Sequence, residues 1–410
     1  MKTFKIILTV FFILIVGLIV YSNFNLYHTP EFILIDGKEV NVDLAKQLNH
    51  LKKSLKEGVA DKLQSEYPEG YFFANLMYGL TWCEFAFDLS DGSPLKNQAL
   101  NEAIYSLHNL EQEYCQQNFT KNLPLRFGAF YFCWTNYLRA KILALSNVFH
   151  DRDRIISDFI FNCDTLSKII FISESPFFES YPHQYWPADI LPGITSLSLH
   201  DKLFNCRYDS TITYWFNKVE SVKKYGEILF PHSVNQEGVA LQSARGSSLG
   251  LILILLKEIP EIDAGSIYNL YNRVYRTNFL GLPMIQEYSY DNIEKGDVDS
   301  GPVIFGYGSV ATIIGAGVFK RYGELNLAER FNQTIEFLGF PYEDSETKVY
   351  LAGQIPMADF FIAWVRSLRT LDYKTINTNA DKHWRLLIHI SSFLAISILV
   401  VLILFINRKK

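Results

Sequence analysis

The residues best suited to chemistry sit in short polar stretches, each placed just before an apolar run. In KGDVDSGPVIFGYG (residues 295–308), Asp297 and Asp299 are one residue apart. Two carboxylates that close repel unless they share a proton, a cation or a substrate hydroxyl. NQEGVALQSARGSS (from 235) carries Glu237 and, eight residues on, Arg245, while SYPHQYWPADILPG (from 180) gathers His183, Tyr185, Trp186 and Asp189. Glu69 in EYPEGYFF repeats the pattern more weakly. Paired carboxylates are the tools of glycoside cleavage, where one is protonated and one ionised. The expected catalytic set is therefore Asp299, Glu237 and Asp189, with acid and base unassigned between Asp299 and Glu237. Asp297, Arg245, His183, Tyr185, Trp186 and Glu69 are the expected substrate-binding set: Asp297 orienting hydroxyls, Arg245 tuning charge, and the two aromatic rings stacking on substrate.

Each residue has a plainer reading. Asp299 or Ser300 before Gly301-Pro302 suits a helix N-cap, and Glu237 could cap the next helix with Arg245 two turns along it. Gly306-x-Gly308-x-x-Ala311 resembles a dinucleotide turn, but that turn needs a strand before it inside a βαβ unit, and no parallel-sheet pattern surrounds it. The uncharged run from Gly301 to Phe319 could be a membrane span, at the cost of placing a neighbouring soluble segment on the wrong side. Oxygen ligands from Asp297, Asp299 and Glu237 would suit calcium or magnesium. HExxH, a P-loop and clustered His/Cys ligands are all absent from the sequence. The expectation is no metal and no cofactor.

These stretches need elements to hold them. Helical periodicity dominates and strand alternation is scarce, giving about twelve helices between the chain ends. Charged amphipathic helices alternate with nearly apolar ones. The apolar ones follow similar signals near Glu69, Arg126, Asp189, Glu237, Asp299 and Pro356, spaced by 48 to 63 residues. A helix apolar all round must be buried. Six of them, each with an amphipathic neighbour, predict an all-α fold: an (α/α)6 toroid whose inner helices start at one mouth, with an open α-solenoid as the rival.

The ends are different. Ile6 to Tyr21 is uncharged and led by Lys2 and Lys5, while Leu386 to Ile406 is apolar and followed by Asn407-Arg408-Lys409-Lys410. Both suit membrane spans, and no small-x-small cleavage site follows the first. Basic residues at both ends favour cytoplasmic termini. The domains read as a signal anchor (1–23), an extracytoplasmic domain (24–384) and a second span with a short basic tail (385–410). Between the spans lie 32 of the 38 Lys and Arg and all 43 Asp and Glu, a net of −11. That charge makes nucleic acid a poor partner. Five cysteines show no CxxC or zinc spacing, so buried free thiols are the plain expectation against one or two disulfides. Asn118-Phe119-Thr120 and Asn332-Gln333-Thr334 match the glycosylation sequon.

The helix pairs with acidic residues at one mouth resemble six-hairpin glycosidase-like toroids and the linalool dehydratase/isomerase-type toroid. The resemblance is architectural, covers roughly residues 40 to 370 and carries no catalytic residue across. The leading expectation is a glycoside-hydrolase-like enzyme acting on a neutral, hydroxyl-rich glycan; the alternative is a dehydratase or isomerase acting on a lipid or isoprenoid alcohol. A silent toroid that binds a glycan, a peptide or a membrane neighbour is the non-enzymatic alternative. The cavity lining separates the first two: wet and carboxylate-rich for a glycan, aromatic and dry for a lipid.

Overall fold

The computed structural model of the chain describes residues 2–222, 230–289, 296–297, 300–371 and 383–408. It is mostly helical: α1 (Lys2–Asn25), α2 (Val42–Lys56), α3 (Val59–Glu66), α4 (Gly70–Phe85), α5 (Pro94–Glu111), α6 (Glu113–Gln116), α7 (Gly128–Leu145), α8 (Arg152–Ile172), α9 (Pro187–Leu203), α10 (Asp209–Val222), α11 (Gly246–Leu256), α12 (Gly265–Val274), α13 (Ser309–Arg321), α14 (Leu325–Leu338), α15 (Pro356–Ser367) and α16 (Leu386–Arg408). Among the described residues, twelve short strands, more than the sequence pattern suggested, occupy the connections. They form the antiparallel hairpins β1–β2 (Phe32–Ile35, Lys38–Asn41), β7–β8 (Arg276–Phe279, Leu282–Ile285), β9–β10 (Val303–Ile304, Tyr307–Gly308) and β11–β12 (Tyr342–Glu343, Lys348–Val349), plus a four-stranded sheet β3–β6 (Glu179–Tyr181, Gln184–Tyr185, Ser233–Val234, Ala240–Gln242).

Six helices are buried around most of their circumference: α4, α7, α9, α11, α13 and α15. They pack in succession, α4 on α7, α7 on α9, α9 on α11, α11 on α13 and α13 on α15, and α15 packs back on α4. Amphipathic helices cover them: α3 and α5 on α4, α8 and α10 on α9, α12 on α11, α14 on α13 and α2 on α15. One apolar core runs from Val40 to Leu368 through all of these. Close approach is selected in the sequence. A Cβ on Gly193 of α9 would lie 2.6 Å from Cys133 Sγ of α7, so only glycine lets the two backbones meet there.

At the C-terminal ends of the buried helices lies an ionic cluster. Arg321 of α13 donates from one Nη2 to Glu84 (2.9 Å) and Glu258 (2.7 Å). Lys141 of α7 lies 2.5 Å from Glu84 and 3.2 Å from Glu258. Tyr137 donates to Glu258 at 2.8 Å, and Arg369, beyond α15, reaches Glu84 at 3.1 Å. Burial alone would raise the Glu84 carboxyl, but Arg321 and Lys141 outweigh it and hold it well below its ordinary value. Removing one partner of such a buried set leaves a charge uncompensated.

Helices α1 and α16 stand apart from the core as two helices long and apolar enough to cross a membrane. They pack on each other. Asn23 bonds Ser392 (2.9 Å) and His389 (2.8 Å), while Asn407 bonds Thr9 (3.3 Å), so the pair is antiparallel. Leu26, Leu282, Trp384 and Ile388 form a small separate cluster where the pair meets the rest of the chain. The run Gly301–Phe319 is not a third such helix; a hairpin and the buried α13 divide it. The five cysteines are free thiols, four of them buried and Cys206 exposed.

Candidate functional site

The starts of all six buried helices open into one cavity of about 620 Å³. Glu69 and Phe73 line it from α4, Phe130 from α7, Trp186, Ala188 and Asp189 from α9, Ser247 and Ser248 from α11, Ser309, Val310 and Thr312 to Ile314 from α13, and Met357 and Phe361 from α15. None of the six helices is closed by its N-cap side chain. On the outer layer Asn41 caps α2 and Ser93 caps α5, whereas α3, α8, α12 and α14 likewise have no side-chain cap. First-turn N–H groups and the positive ends of helix dipoles therefore point toward the cavity.

Most of the lining is aliphatic or aromatic, and several of its polar groups are hydrogen-bonded. Tyr181 donates to Glu69 Oε1, and Ser180 Oγ lies 2.5 Å from Asp189 Oδ2. His232 Nδ1 is 3.2 Å from Ser248 Oγ. Ser247 Oγ donates to Glu287 Oε1 at 2.6 Å, and the Ser247 N–H approaches the second Glu287 oxygen at 3.3 Å. Glu287 is fully buried behind Ser247, with Gly308 packed so closely that a Cβ there would lie 2.9 Å from its carboxylate. Burial pushes the Glu287 carboxyl up to about 7, against the opposing Ser247 and Arg245 contacts. Burial pushes His232 down to about 4, helped by Arg245, so its ring is neutral at physiological pH.

The sequence-derived candidates divide. Glu69, Trp186 and Asp189 face the cavity together. Asp299 lies outside the described residues. Glu237 is a correction: it is exposed in the turn between β5 and β6, nine residues before α11 begins, so it neither starts nor caps that helix. The helix signal in NQEGVA is overridden because the segment pairs as a hairpin, Val234 with Ala240. Arg245 is likewise not two turns into a helix; it is the N-cap residue of α11. Its Nη1 pairs with Asp297 Oδ2 at 2.6 Å, and its guanidinium stacks over Tyr288 at 5.4 Å. Partial burial alone would raise Asp297, but the Arg245 hydrogen bond wins and keeps it below its ordinary value. Asp297 and Ser300 close a turn on themselves (Ser300 N–H to Oδ1, 3.1 Å), and α13 begins only at Ser309, so Ser300 caps no helix. His183, with φ +62°, sits exposed in the β3–β4 turn, and Tyr185 is buried in β4; neither lines the cavity. Gly306 is a hairpin-turn residue between antiparallel strands, which removes the dinucleotide reading.

Sequence reasoning missed Ser247, Ser248, His232 and Glu287. Ser247 and Ser248 are legible in ARGSS once α11 is known to start there. Glu287 and His232 carry no local signal, since each meets its serine across a chain crossing.

One trio among the described residues has metal-ligand spacing: His28, Asp43 and Glu336, with ligand atoms within 4.8 Å of one another. Lys348 Nζ already sits among them, 3.1 Å from His28, 2.6 Å from Asp43 and 3.0 Å from Glu336. The place a cation would take is held by an ammonium. Compared with protein-family models and with curated proteins, the chain matches none.

Proposed function

We propose that this chain is a membrane-tethered (α/α)6-toroid enzyme that performs acid–base chemistry on an apolar-chain alcohol, as a dehydratase or isomerase. The observation that carries the reading is the cavity: about 620 Å³ at the convergence of six helix starts, apolar over most of its wall, with a few bonded polar groups among them. That is the composition expected for an apolar ligand with one polar end. The toroid is supported by the packing succession α4–α7–α9–α11–α13–α15–α4. Basic residues at both termini support cytoplasmic ends, with the cavity-bearing part outside the cytoplasm. The glycan reading has less support, because the wall is not carboxylate-rich and Glu237 does not line it.

Alcohol dehydration needs a proton donor at the hydroxyl and a base at the neighbouring carbon. Glu287, a carboxyl poised near neutrality, would pass a proton to and from the cavity through the Ser247 hydroxyl. Glu69 and Asp189, each already holding a hydroxyl donor, would orient the alcohol or take the carbon-bound proton. The Arg245–Asp297 pair would hold the Ser247 end of α11 in place.

The test is full-length protein in nanodiscs, offered long-chain and isoprenoid alcohols and, separately, oligosaccharides, with products read by mass spectrometry. Turnover of an alcohol that Glu69→Gln, Asp189→Asn or Glu287→Gln reduces at least a hundredfold supports the reading. Oligosaccharide cleavage would restore the hydrolase, and tight binding without turnover would leave a carrier.

A further inference from the structure

The cavity rim is more apolar than a water-facing edge should be. Phe305 is 84% exposed and Ile304 62%, and both line the cavity. They form the tip of β9–β10. The tip of β7–β8 lies beside it, with the Phe279 and Phe305 rings stacked at 6.4 Å between centroids. Neither NFLGLP (278–283) nor VIFGYG (303–308) carries a charge.

The backbone at these tips gives a second, independent sign. Three two-residue hairpin turns have both central residues at positive φ: Asp36-Gly37 (51° and 75°), Leu280-Gly281 (51° and 92°) and Phe305-Gly306 (53° and 83°). Such turns favour Asn, Asp or Gly at the first position, as Asp36 illustrates. At the other two a large apolar residue occupies the left-handed position, at a conformational cost. The chain places an apolar side chain at both tips despite that cost.

What covers these tips follows from the α1–α16 pair. Leu282, two residues past Leu280, packs with Leu26 and Ile388 at the ends of the two helices. Gly281 lies so close to the Trp384 carbonyl that a Cβ would meet it at 1.9 Å. Tyr21, inside the apolar run of α1, donates to the Pro341 carbonyl just beyond α14. The rim is therefore continuous with the helix pair, at the level where that pair would leave the hydrocarbon.

We propose that the tips of β7–β8 and β9–β10 lie in the lipid headgroup layer beside the α1–α16 pair, so that the cavity opens onto the bilayer and takes its ligand from dissolved lipid. Apolar side chains at such a surface bury about 5–10 Å into the boundary. The membrane contact rests on the surface and on the reading of α1 and α16 as spans; ligand access from the bilayer rests also on the proposed apolar ligand.

The test uses the full chain with Cys206→Ser, labelled with bimane at Phe305→Cys or at Val148→Cys, in nanodiscs with and without doxyl-labelled phosphatidylcholine. Val148, 87% exposed, follows the far end of α7. The label at 305 should lose at least half its emission to the doxyl lipid and be shielded from aqueous iodide, while the label at 148 should show the reverse. A 305 label quenched by iodide as strongly as the 148 label, and untouched by doxyl lipid, overturns the membrane contact. In a second arm, dansyl-dodecanol dissolved in the nanodisc reports uptake by energy transfer from tryptophan. Leu280→Asp, a change outside the cavity lining, should slow uptake about tenfold from the bilayer but not of octanol added from water. Equal slowing of both probes overturns bilayer access. If the unaltered chain takes up neither while the 305 label is lipid-quenched, the apolar-ligand reading fails, bilayer access fails with it, and the membrane contact stands.

Discussion

Replacing Glu287 with glutamine should stabilise the protein at alkaline pH and not at acid pH. Glu287 is fully buried, and its carboxyl titrates near 7 in the folded chain against an ordinary value of 4.5. Below pH 4.5 the group is protonated in both folded and unfolded states and costs nothing. As pH rises from 4.5 to 7 the unfolded chain releases the proton and the folded chain keeps it, so stability falls; above 7 the loss levels off. A shift of that size corresponds to about 3 kcal/mol at 1.36 kcal/mol per pH unit. An unfolding entropy of roughly 2.1 cal/mol/K per residue over the folded part converts this to about 4 °C in Tm. The amide keeps an acceptor for the Ser247 hydroxyl, and any fixed cost of its NH₂ group appears equally at every pH. Burial also raises Asp359 to about 7, but Asp359 is present in both proteins and cancels. The assay is thermal unfolding of wild type and Glu287→Gln, in the same detergent, at pH 4.5 and pH 8.5. The Tm difference should move in favour of the variant by about 4 °C between the two. A difference that stays constant would refute the claim that Glu287 is a carboxylic acid held neutral behind Ser247.

Other outcomes follow from the same contacts. Arg321→Met should cost about 3–5 kcal/mol, because it leaves Glu84 and Glu258 with one fewer cation in a dry cluster, and a denaturant titration would read the loss. Glu84 is held below its ordinary value, so the stability it contributes is present above the unfolded carboxyl range and disappears as pH falls through its folded value; Glu84→Gln should flatten the acid limb of the stability curve. Lys348→Ala should destabilise the chain at neutral pH and open a site that His28, Asp43 and Glu336 can offer to a divalent cation, so added Mn²⁺ should recover part of the lost Tm in the variant and none in wild type. Gly193→Val should cost several degrees of Tm, since its side chain would collide with Cys133 and Leu166.

Local patterns along the chain were enough for the helical class, the two apolar termini and the existence of six helices too apolar to face water. Periodicity and hydrophobic composition are local, and burial follows from them directly. Four of the six starts could be placed within about two residues, because Gly70, Gly128, Pro187 and Pro356 carry their own punctuation. Two could not. Before α11 and α13 the chain pairs as short hairpins: the Gly signal in NQEGVA belongs to the β5–β6 turn, and Gly301-Pro302 leads into β9 rather than into α13. The acidic and aromatic residues nearest true starts, Glu69, Trp186 and Asp189, reached the cavity. Glu237, His183 and Tyr185 did not, since hairpin geometry alone decides which side of the sheet each faces. Tertiary structure alone brought Glu287 to Ser247 and His232 to Ser248, because those contacts join segments 40 and 16 residues apart. It also decided that a lysine rather than a metal sits among His28, Asp43 and Glu336, and that the wall of the cavity is apolar. Composition counts side chains, whereas only packing determines which of them face the same empty space.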